Sequence, residues 1–359
     1  MQIKNMKPIS IKTRGGIRYI GPGYPSFIVA EMSGNHNQSF ELATKIIDAA
    51  AEAGADAIKL QTYTADTMTI DSDKKYFRLT ESKLWKKEET LYDLYKKANT
   101  PWEWQPKLKN YAEKKGLIFF SSPFDDTAVD FLEKMNVPIY KVASYELIDI
   151  PLLQKIARTK KPVILSRGMA SIKEIRLAIS TLKKYGTKQI AILHCVSSYP
   201  ADPKDMNLKT IPDITRRFRV ISGLSDHSIT NNAAIASVAL GACIIEKHIT
   251  LKRYDKGIDS AFSLEPHEFK NLVQAIREAE SALGKIHYGA TRAELNDRLY
   301  RRSIFAVKNI RKGEGFTKNN LRIIRPCHGL APKYFNIVLG KKAKKNIEKG
   351  TPLTQKLIF

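Results

Sequence analysis

The sequence predicts an α/β fold, a (β/α)8 TIM barrel followed by a small C-terminal domain rich in β-structure. Short apolar runs typical of buried parallel strands alternate with segments whose apolar residues recur every three or four positions. From residue 303 onwards the pattern changes to short strands separated by glycine and proline turns. A doubly wound open sheet is the alternative, but no Gly-x-Gly-x-x-Gly follows any predicted strand. The barrel is therefore the favoured architecture.

The elements follow in order along the chain. Residues 9–25 alternate in polarity around Gly15 and Gly16, which predicts a β-hairpin. Core strands are predicted at residues 27–32, 57–63, 117–124, 139–146, 162–169, 190–196, 220–226 and 242–249. Helices are predicted at residues 43–53, 106–115, 128–135, 152–158, 172–184, 231–240 and 266–283. Repeated strand–helix units of this kind close into a barrel.

One connection, between the second and third strands, is much longer than the others. It contains residues 66–76 and a charged, helical segment at 81–98. Long connections in compact domains are commonly functional, and a loop that follows a barrel strand leaves the C-terminal face. We therefore expect this connection to cap a site at that face.

The domain boundaries are predicted from the change in composition near the C-terminus. Residues 1–284 form the barrel domain, 285–302 a charged linker with little apolar periodicity, and 303–359 the small domain. At this size the small domain is near the lower limit for folding alone.

Composition indicates a folded protein with a strongly basic surface. The 359 residues include 60 basic and 36 acidic side chains, which gives a net charge of +24. The lysines are dispersed over helical polar faces and not interleaved with aromatic residues, so we expect no nucleic-acid partner and some steering of anionic small molecules. Three distant cysteines, without a signal peptide or membrane-spanning run, predict a reducing, cytoplasmic location and no membrane partner.

Polar side chains follow the predicted strands where a core would not require them. The first strand ends at Glu31 and continues into a polar turn that contains Asn35 and His36, a combination that favours function over a simple strand end. Lys59 and Lys141 lie near later strand ends, together with a series of hydroxyl groups. Buried lysines are rare unless they are paired or bind a ligand. Two ammonium groups beside hydroxyls suit a phosphate, although structural ion pairs would explain one of them.

His227 and His248 follow the seventh and eighth strands, which are adjacent in a closed barrel. Two imidazoles with a carboxylate and water suit Mn²⁺, Fe²⁺, Co²⁺ or Zn²⁺, and Glu31 is a possible acidic ligand. The alternative is a pair of hydrogen-bonded core histidines, because the spacing of 21 residues is not a local metal motif.

A series of motifs, in order along nearly the whole chain, resembles the sialic acid synthase family. The motifs are Ala30-Glu-x-x-x-Asn-His-Asn37, Lys59-Leu-Gln61, Ser122-Pro-Phe-Asp125, Lys141-Val-Ala-Ser-Tyr-Glu146, Leu165-Ser-Arg-Gly-Met169, Leu193-His-Cys195 with Tyr199-Pro200, Leu224-Ser-Asp-His-Ser228 and Glu246-Lys-His248. The C-terminal domain resembles the antifreeze-like (SAF) module of the same family through Arg325-Pro-x-x-Gly-Leu-x-Pro332. No single motif is specific, but the collinear set is.

The resemblance implies a synthase that condenses phosphoenolpyruvate with an amino-sugar aldehyde and releases phosphate. It implies that Glu31 stabilises a cationic intermediate, and that His227 and His248 hold a divalent metal ion, with Mn²⁺ preferred over Mg²⁺ or Co²⁺. The groups implied to bind phosphoenolpyruvate are Lys59, Lys141, Ser122, Ser144, Ser166 and Ser225. Those implied to face the sugar are Gln61, Glu146, Ser197, Tyr199 and Asp259. Arg325 is implied to reach the sugar of a second chain in a domain-swapped homodimer.

Within the family, the amino-acid sequence of residues 31–38 resembles that of the pseudaminic acid branch. Residues 257–265 also lack the histidine that follows aspartate in the N-acetylneuraminate branch. The implied sugar is a 2,4-diacetamido-2,4,6-trideoxy-altrose, and the implied product serves surface glycans or flagellin. Cys327 and Ser197 depart from the family pattern, which usually has glycine and asparagine there. An N-acetylneuraminate or legionaminate synthase, or another phosphoenolpyruvate-dependent aldol-type synthase, is the alternative.

Overall fold

The computed structural model describes residues 6–79, 90–255 and 257–359. The chain separates into two compact units, Met1–Gly284 and Lys285–Phe359. None of the helices in the described ranges combines the length and the apolar character needed to cross a lipid bilayer.

The first unit is a closed barrel of eight parallel strands, which confirms the predicted fold. The strands are β3 (Phe27–Glu31), β4 (Ala57–Thr62), β5 (Ile118–Pro123), β6 (Tyr140–Val142), β7 (Val163–Ser166), β8 (Ile190–Cys195), β9 (Ile221–Asp226) and β10 (Ile244–His248). They neighbour each other in chain order, and β10 closes the barrel by pairing with β3, with His248 opposite Glu31. The last residues of all eight strands therefore meet at one end of the barrel.

Helices surround the strands and cover their outer faces. They are α1 (Phe40–Glu52), α2 (Ala65–Met68), α3 (Leu91–Ala98), α4 (Gln105–Lys114), α5 (Asp126–Lys134), α6 (Ile150–Arg158), α7 (Ile172–Tyr185), α8 (Thr210–Phe218), α9 (Asn232–Ala239) and α10 (Pro266–Leu283). Several begin at a side chain that caps the helix. Ser39 accepts a hydrogen bond from the amide of Leu42, and Ser171 forms a capping box with Glu174.

The predicted hairpin covers the opposite end of the barrel. It consists of β1 (Ile9–Thr13) and β2 (Gly16–Ile20), joined by a turn in which Gly16 has φ of 123°. Ile9, Ile11 and Ile20 are buried in one apolar cluster with Phe27 and Phe120, at the interior of the barrel. The barrel is thus packed at its N-terminal end and polar at its C-terminal end.

Two predicted elements differ from the structure. The fourth barrel strand, β6, ends at Val142, so Ser144 and Glu146 lie beyond it, and Glu146 begins a 3₁₀ turn. The helix predicted at 81–98 is present as α3 from Leu91, and the remainder of that prediction lies outside the described residues. The side chains after β6 are therefore placed by a turn and not by the pleat of a strand.

The second unit has its own small apolar core. It contains β11 (Ser303–Ala306) paired antiparallel with β12 (Leu321–Ile324), the short helix α11 (Phe335–Val338), and several isolated bridges. Ile304, Phe316, Leu321 and Leu353 are buried in its centre. Residues 285–302, predicted as a linker, belong to this unit and are mostly exposed.

Candidate active site

Four buried charged side chains meet at the C-terminal end of the barrel. Lys59 Nζ lies 2.5 Å from Glu31 Oε2 and 3.9 Å from Glu246 Oε2, while Lys141 Nζ lies 3.3 Å from Glu246 Oε1. The four residues are between 1% and 4% exposed. Two ammonium groups and two carboxylates so deeply buried compensate one another, as buried charges must.

The protonation of this cluster follows from burial and from the pairings. Burial raises the pKa of Glu31, and the ammonium of Lys59 only partly opposes the shift. Burial acts in the same direction on Glu246, but Lys141 and Lys59 outweigh it and lower the pKa of that carboxyl. Burial lowers the pKa of Lys141. Glu31 is therefore the carboxylate of this cluster that takes up a proton more readily.

Glu246 is the functional residue to which the sequence prediction assigned no role. Its position contains the signal, because it lies two residues before His248 on the same strand and so faces the same side. In the structure it links Lys59 and Lys141 and accepts a hydrogen bond from Ser225 Oγ at 3.0 Å.

Several serine hydroxyl groups lie at the same end of the barrel as the lysines. Lys59 Nζ donates to Ser122 Oγ at 3.4 Å, and Ser197 Oγ donates to Ser144 Oγ at 3.0 Å. Ser166 Oγ is buried and finds no hydrogen-bond partner within the described part of the chain. Gly168, at φ 46°, lies so close to Ser144 that a β-carbon on Gly168 would be 2.5 Å from Ser144 Cβ. A buried hydroxyl without a partner is a group that can donate to an anion.

The two predicted histidines are adjacent, with their ring centroids 5.4 Å apart. His227 Nδ1 lies 2.9 Å from the carbonyl oxygen of Val196, which can only accept, so this nitrogen carries a proton. Burial acts to lower the pKa of His227, but Cys195, whose Sγ lies 3.9 Å from the same nitrogen, outweighs it and raises that pKa. His248 Nδ1 is buried and has no hydrogen-bond partner in the described residues. Burial lowers the pKa of His248 well below its ordinary value, which keeps this imidazole neutral.

These two imidazoles are close enough to bind one divalent metal ion through nitrogen, and binding would displace a proton held by the His227 ring. Within the described ranges, no group of three or more histidine, cysteine, aspartate or glutamate side chains is placed to hold a metal ion. Water or substrate oxygens would therefore have to complete the coordination of an ion held by this pair.

A cavity of about 260 Å³ opens beside the imidazoles. Its polar lining includes Gln61, Glu146, His248 and Asp259, and most of the other lining residues are apolar or aromatic. The apolar and aromatic residues are Tyr63, Met68, Leu91, Leu94, Tyr95, Ala98, Phe124, Ala143, Tyr145, Tyr199, Ile258 and Phe262. Helix α3 from the long connection supplies four of these residues, so part of that connection does border the site.

Two carboxyls of the cavity resist ionisation. Burial raises the pKa of Glu146 to about 7, and its Oε2 has no hydrogen-bond partner among the described residues. Burial also raises the pKa of Asp259, which accepts a short hydrogen bond from Ser33 Oγ. Gln61 Nε2 donates to Glu31 Oε1 at 3.2 Å and thereby connects the cavity to the charged cluster.

The polar turn after β3 separates into a catalytic candidate and a scaffold. Glu31 enters the charged cluster, but Asn35 donates to the carbonyl of Ile249 at 2.8 Å and so fixes the turn against the end of the barrel. His36 is buried, lies 3.1 Å from Thr100 Oγ1, and burial lowers its pKa to about 4. Of the polar residues in this turn, Glu31 thus joins the charged cluster, whereas Asn35 and His36 make contacts that hold the turn in place.

Thirteen of the fourteen other predicted residues besides Glu31 lie in the first unit. They are Lys59, Gln61, Ser122, Lys141, Ser144, Glu146, Ser166, Ser197, Tyr199, Ser225, His227, His248 and Asp259. Arg325 is in the second unit, directly after β12, where its side chain is exposed.

Comparison with known proteins gives a match for each unit. Residues 46–288 match the model of the NeuB family, and residues 301–358 match the SAF domain. The pseudaminic acid synthase of Helicobacter pylori is 44% identical over 331 residues, which cover 92% of this chain and 97% of that protein. The N,N'-diacetyllegionaminic acid synthase of Legionella pneumophila is 36% identical over 344 residues, or 94% of this chain and 96% of that one.

A solved structure supports the relationship. The N-acetylneuraminic acid synthetase of Leptospira borgpetersenii superimposes with a TM-score of 0.71 at 34% identity, over 82% of this chain and 96% of that chain. Both the sequence similarity and the shared architecture extend over most of the molecule. The chain therefore belongs to the NeuB family and has a C-terminal SAF domain.

Proposed function

We propose that this protein is a pseudaminic acid synthase. It condenses phosphoenolpyruvate with 2,4-diacetamido-2,4,6-trideoxy-β-L-altrose and releases pseudaminic acid and phosphate. The observation that carries the proposal is the buried cluster of two lysines and two glutamates beside a pair of adjacent imidazoles. Relatives named pseudaminic acid synthase, at 44% identity over 92% of the chain, support the choice of product.

The lysines and hydroxyls bind phosphoenolpyruvate. Lys59 and Lys141 provide positive charge in a site where water cannot screen it, so an anion gains more there than at the surface. Ser166 has a free hydroxyl, Ser122 accepts from Lys59, Ser225 donates to Glu246, and Ser144 is the fourth hydroxyl proposed to bind phosphoenolpyruvate. These groups donate hydrogen bonds to phosphate and carboxylate oxygens.

Glu31 acts on the carbon that loses phosphate. Carbon 3 of phosphoenolpyruvate forms a bond to the aldehyde carbon of the sugar, and positive charge develops at carbon 2. The buried carboxylate of Glu31 stabilises that charge and accepts a proton from the water that adds at carbon 2. The bond from carbon 2 to the phosphate oxygen then breaks, and inorganic phosphate leaves with the proton of the carbon 2 hydroxyl, which becomes the keto group. The proton taken up by Glu31 passes to the oxygen of the former aldehyde.

His227 and His248 hold a divalent metal ion, Mn²⁺ in preference to Mg²⁺ or Co²⁺. When bound, the ion supplies a Lewis acid for the aldehyde oxygen of the sugar. The adjacency of the two rings and the unpartnered Nδ1 of His248 support this assignment.

The mixed polar and apolar lining of the cavity suits a sugar with few hydroxyl groups. Gln61, Glu146, Asp259 and Tyr199 face the polar substituents of the sugar. The apolar lining residues, which include those of α3, accept the methyl carbon of a 6-deoxy sugar and an acetamido methyl group. The legionaminate synthases among the relatives make the corresponding legionaminate activity the second candidate.

The test is phosphate release from phosphoenolpyruvate with a panel of diacetamido and N-acetyl sugars, before and after treatment with EDTA. We expect the trideoxy altrose to be the preferred sugar, and activity to disappear on chelation and return with Mn²⁺. Preferred turnover of N-acetylmannosamine or of a legionaminate precursor would overturn the product assignment. Full activity after complete chelation would overturn the metal assignment alone.

A further inference from the structure

A second buried ion pair lies outside the charged cluster, between the strands that precede the two imidazoles. Lys247 Nζ lies 2.6 Å from Asp226 Oδ2, and the two side chains are 1% and 0% exposed. The mechanism proposed above does not use either residue.

The ammonium of Lys247 connects β10 to the end of β9 and to the turn after it. It donates to the carbonyl oxygens of Ser228 at 2.6 Å and Thr230 at 3.1 Å, in addition to Asp226. Asp226 Oδ1 accepts a hydrogen bond from the amide of Ser228 at 2.8 Å. The pair therefore fixes both the spacing of two strands and the course of the turn.

The two histidines are the sequence neighbours of this ion pair. Asp226 and Lys247 are register partners on neighbouring strands, His227 follows Asp226, and His248 follows Lys247. Successive residues at a strand end point to opposite sides. The ion pair thus fixes the backbone on one side of β9 and β10, while the imidazoles of the following residues point to the other side.

Stability alone is a weak reason for this arrangement. Removing two charges from water costs about as much as their attraction returns, and well-packed apolar residues at such a position are often equally stable or more stable. A buried pair is better suited to fixing a geometry, since its bonds are short and directional. Residues that hold metal ligands in place commonly change metal affinity when they are replaced.

We propose that Lys247 and Asp226 are positioning residues that set the relative placement of His227 and His248 for a divalent cation. The inference rests on the metal site of the proposed function. It concerns the affinity for the ion and not a chemical step.

The experiment measures Mn²⁺ binding by electron paramagnetic resonance of the free ion. The test variant combines Asp226→Leu with Lys247→Met, which keeps the net charge and replaces the pair by apolar groups of similar size. We expect the variant to fold, as judged by circular dichroism and thermal unfolding, and to bind Mn²⁺ about 10- to 100-fold more weakly. Unchanged affinity in the folded variant would overturn the positioning role.

The matched control is the Glu133–Lys161 ion pair, whose Lys161 Nζ also lies 2.6 Å from its carboxylate partner. Glu133→Gln with Lys161→Met, which also keeps the net charge, should leave Mn²⁺ affinity unchanged. If the apolar variant does not fold, Asp226→Asn with Lys247→Gln retains hydrogen-bonding groups, and unchanged affinity in that variant overturns the inference. If the wild-type protein binds no Mn²⁺, the metal site and the positioning role fall together, which separates that failure from the others.

Discussion

At the scale of single residues, Glu31 has an environment that an ordinary strand end would not need. It is buried, forms an ion pair with Lys59 and accepts a hydrogen bond from Gln61. These contacts hold the carboxylate in place before any substrate binds. A charge held in this way stabilises an opposite charge that develops during a reaction, because no reorganisation is needed at that moment.

Replacing Glu31 with glutamine tests this role. The amide keeps the size of the side chain but removes the negative charge, so we expect kcat to fall about 10²- to 10³-fold. The KM for phosphoenolpyruvate should change little, since Lys59, Lys141 and the serines remain. Steady-state phosphate release measures both constants. Turnover close to that of the wild type would show that Glu31 serves only the barrel.

The raised pKa of Glu146 leads to a prediction about pH. Its pKa is raised to about 7 by burial, so the carboxyl is neutral below that pH and donates a hydrogen bond, whereas above it the group is charged and can only accept. We expect KM for the sugar to rise roughly 3- to 10-fold between pH 6 and pH 8, the size of effect that one hydrogen bond produces. Glu146→Gln keeps an N–H donor at every pH, so its profile should be flat. Parallel profiles in the two proteins would contradict the prediction.

The sequence predicted that polar side chains meet at one end of the barrel, but not how they pair. Polar residues at the ends of parallel strands must converge, which is why Lys59, Lys141, His227 and His248 could be identified from their positions. The role of Glu246 emerges only from distances across the closed barrel, which depend on strand tilt and stagger. His36 also follows a strand end, but its ring packs against Trp104, with the ring centroids 5.8 Å apart, and it does not line the cavity.

At the scale of elements, helix α3 supplies part of the apolar lining of the cavity. The helix starts at Thr90, whose hydroxyl accepts from the amide of Asp93, and it directs Leu91, Leu94 and Tyr95 towards the cavity. Periodicity predicted a helix here, and the length of the connection predicted a position near the site. Which residues face the cavity depends on tertiary packing, which a single sequence does not contain.

Leu94→Asn tests whether this helix selects the sugar. Leu94 is buried, and an amide there would disfavour a methyl group more than a hydroxymethyl group. We expect kcat/KM for the trideoxy sugar to fall about 10-fold or more relative to that for N-acetylmannosamine, within the range for one small group in an apolar pocket. Leu177→Asn is the control, because Leu177 is 52% exposed on α7. Equal losses for both sugars would assign Leu94 to stability and not to selectivity.

At the scale of the whole molecule, each unit has its own core, and nearly all residues proposed for the active site lie in the barrel. The barrel contains the charged cluster, the imidazoles and the cavity, while the SAF domain contains Arg325, which is exposed. An exposed guanidinium has five N–H donors available for an acetamido carbonyl. We propose that Arg325 completes the active site of a second chain in a homodimer.

Mixing two inactive variants, Arg325→Ala and Glu31→Gln, tests the shared site. In a twofold dimer with shared sites, each mixed dimer has one site with both groups intact and one site with neither. Random exchange of equal amounts makes half of the dimers mixed, so about a quarter of the wild-type activity should return. Each variant mixed with itself is the control and should stay inactive. Exchange proven by mass spectrometry of tagged chains, without any recovery, would place Arg325 and Glu31 in the same chain's site, and a monomer at working concentration would exclude the shared site altogether.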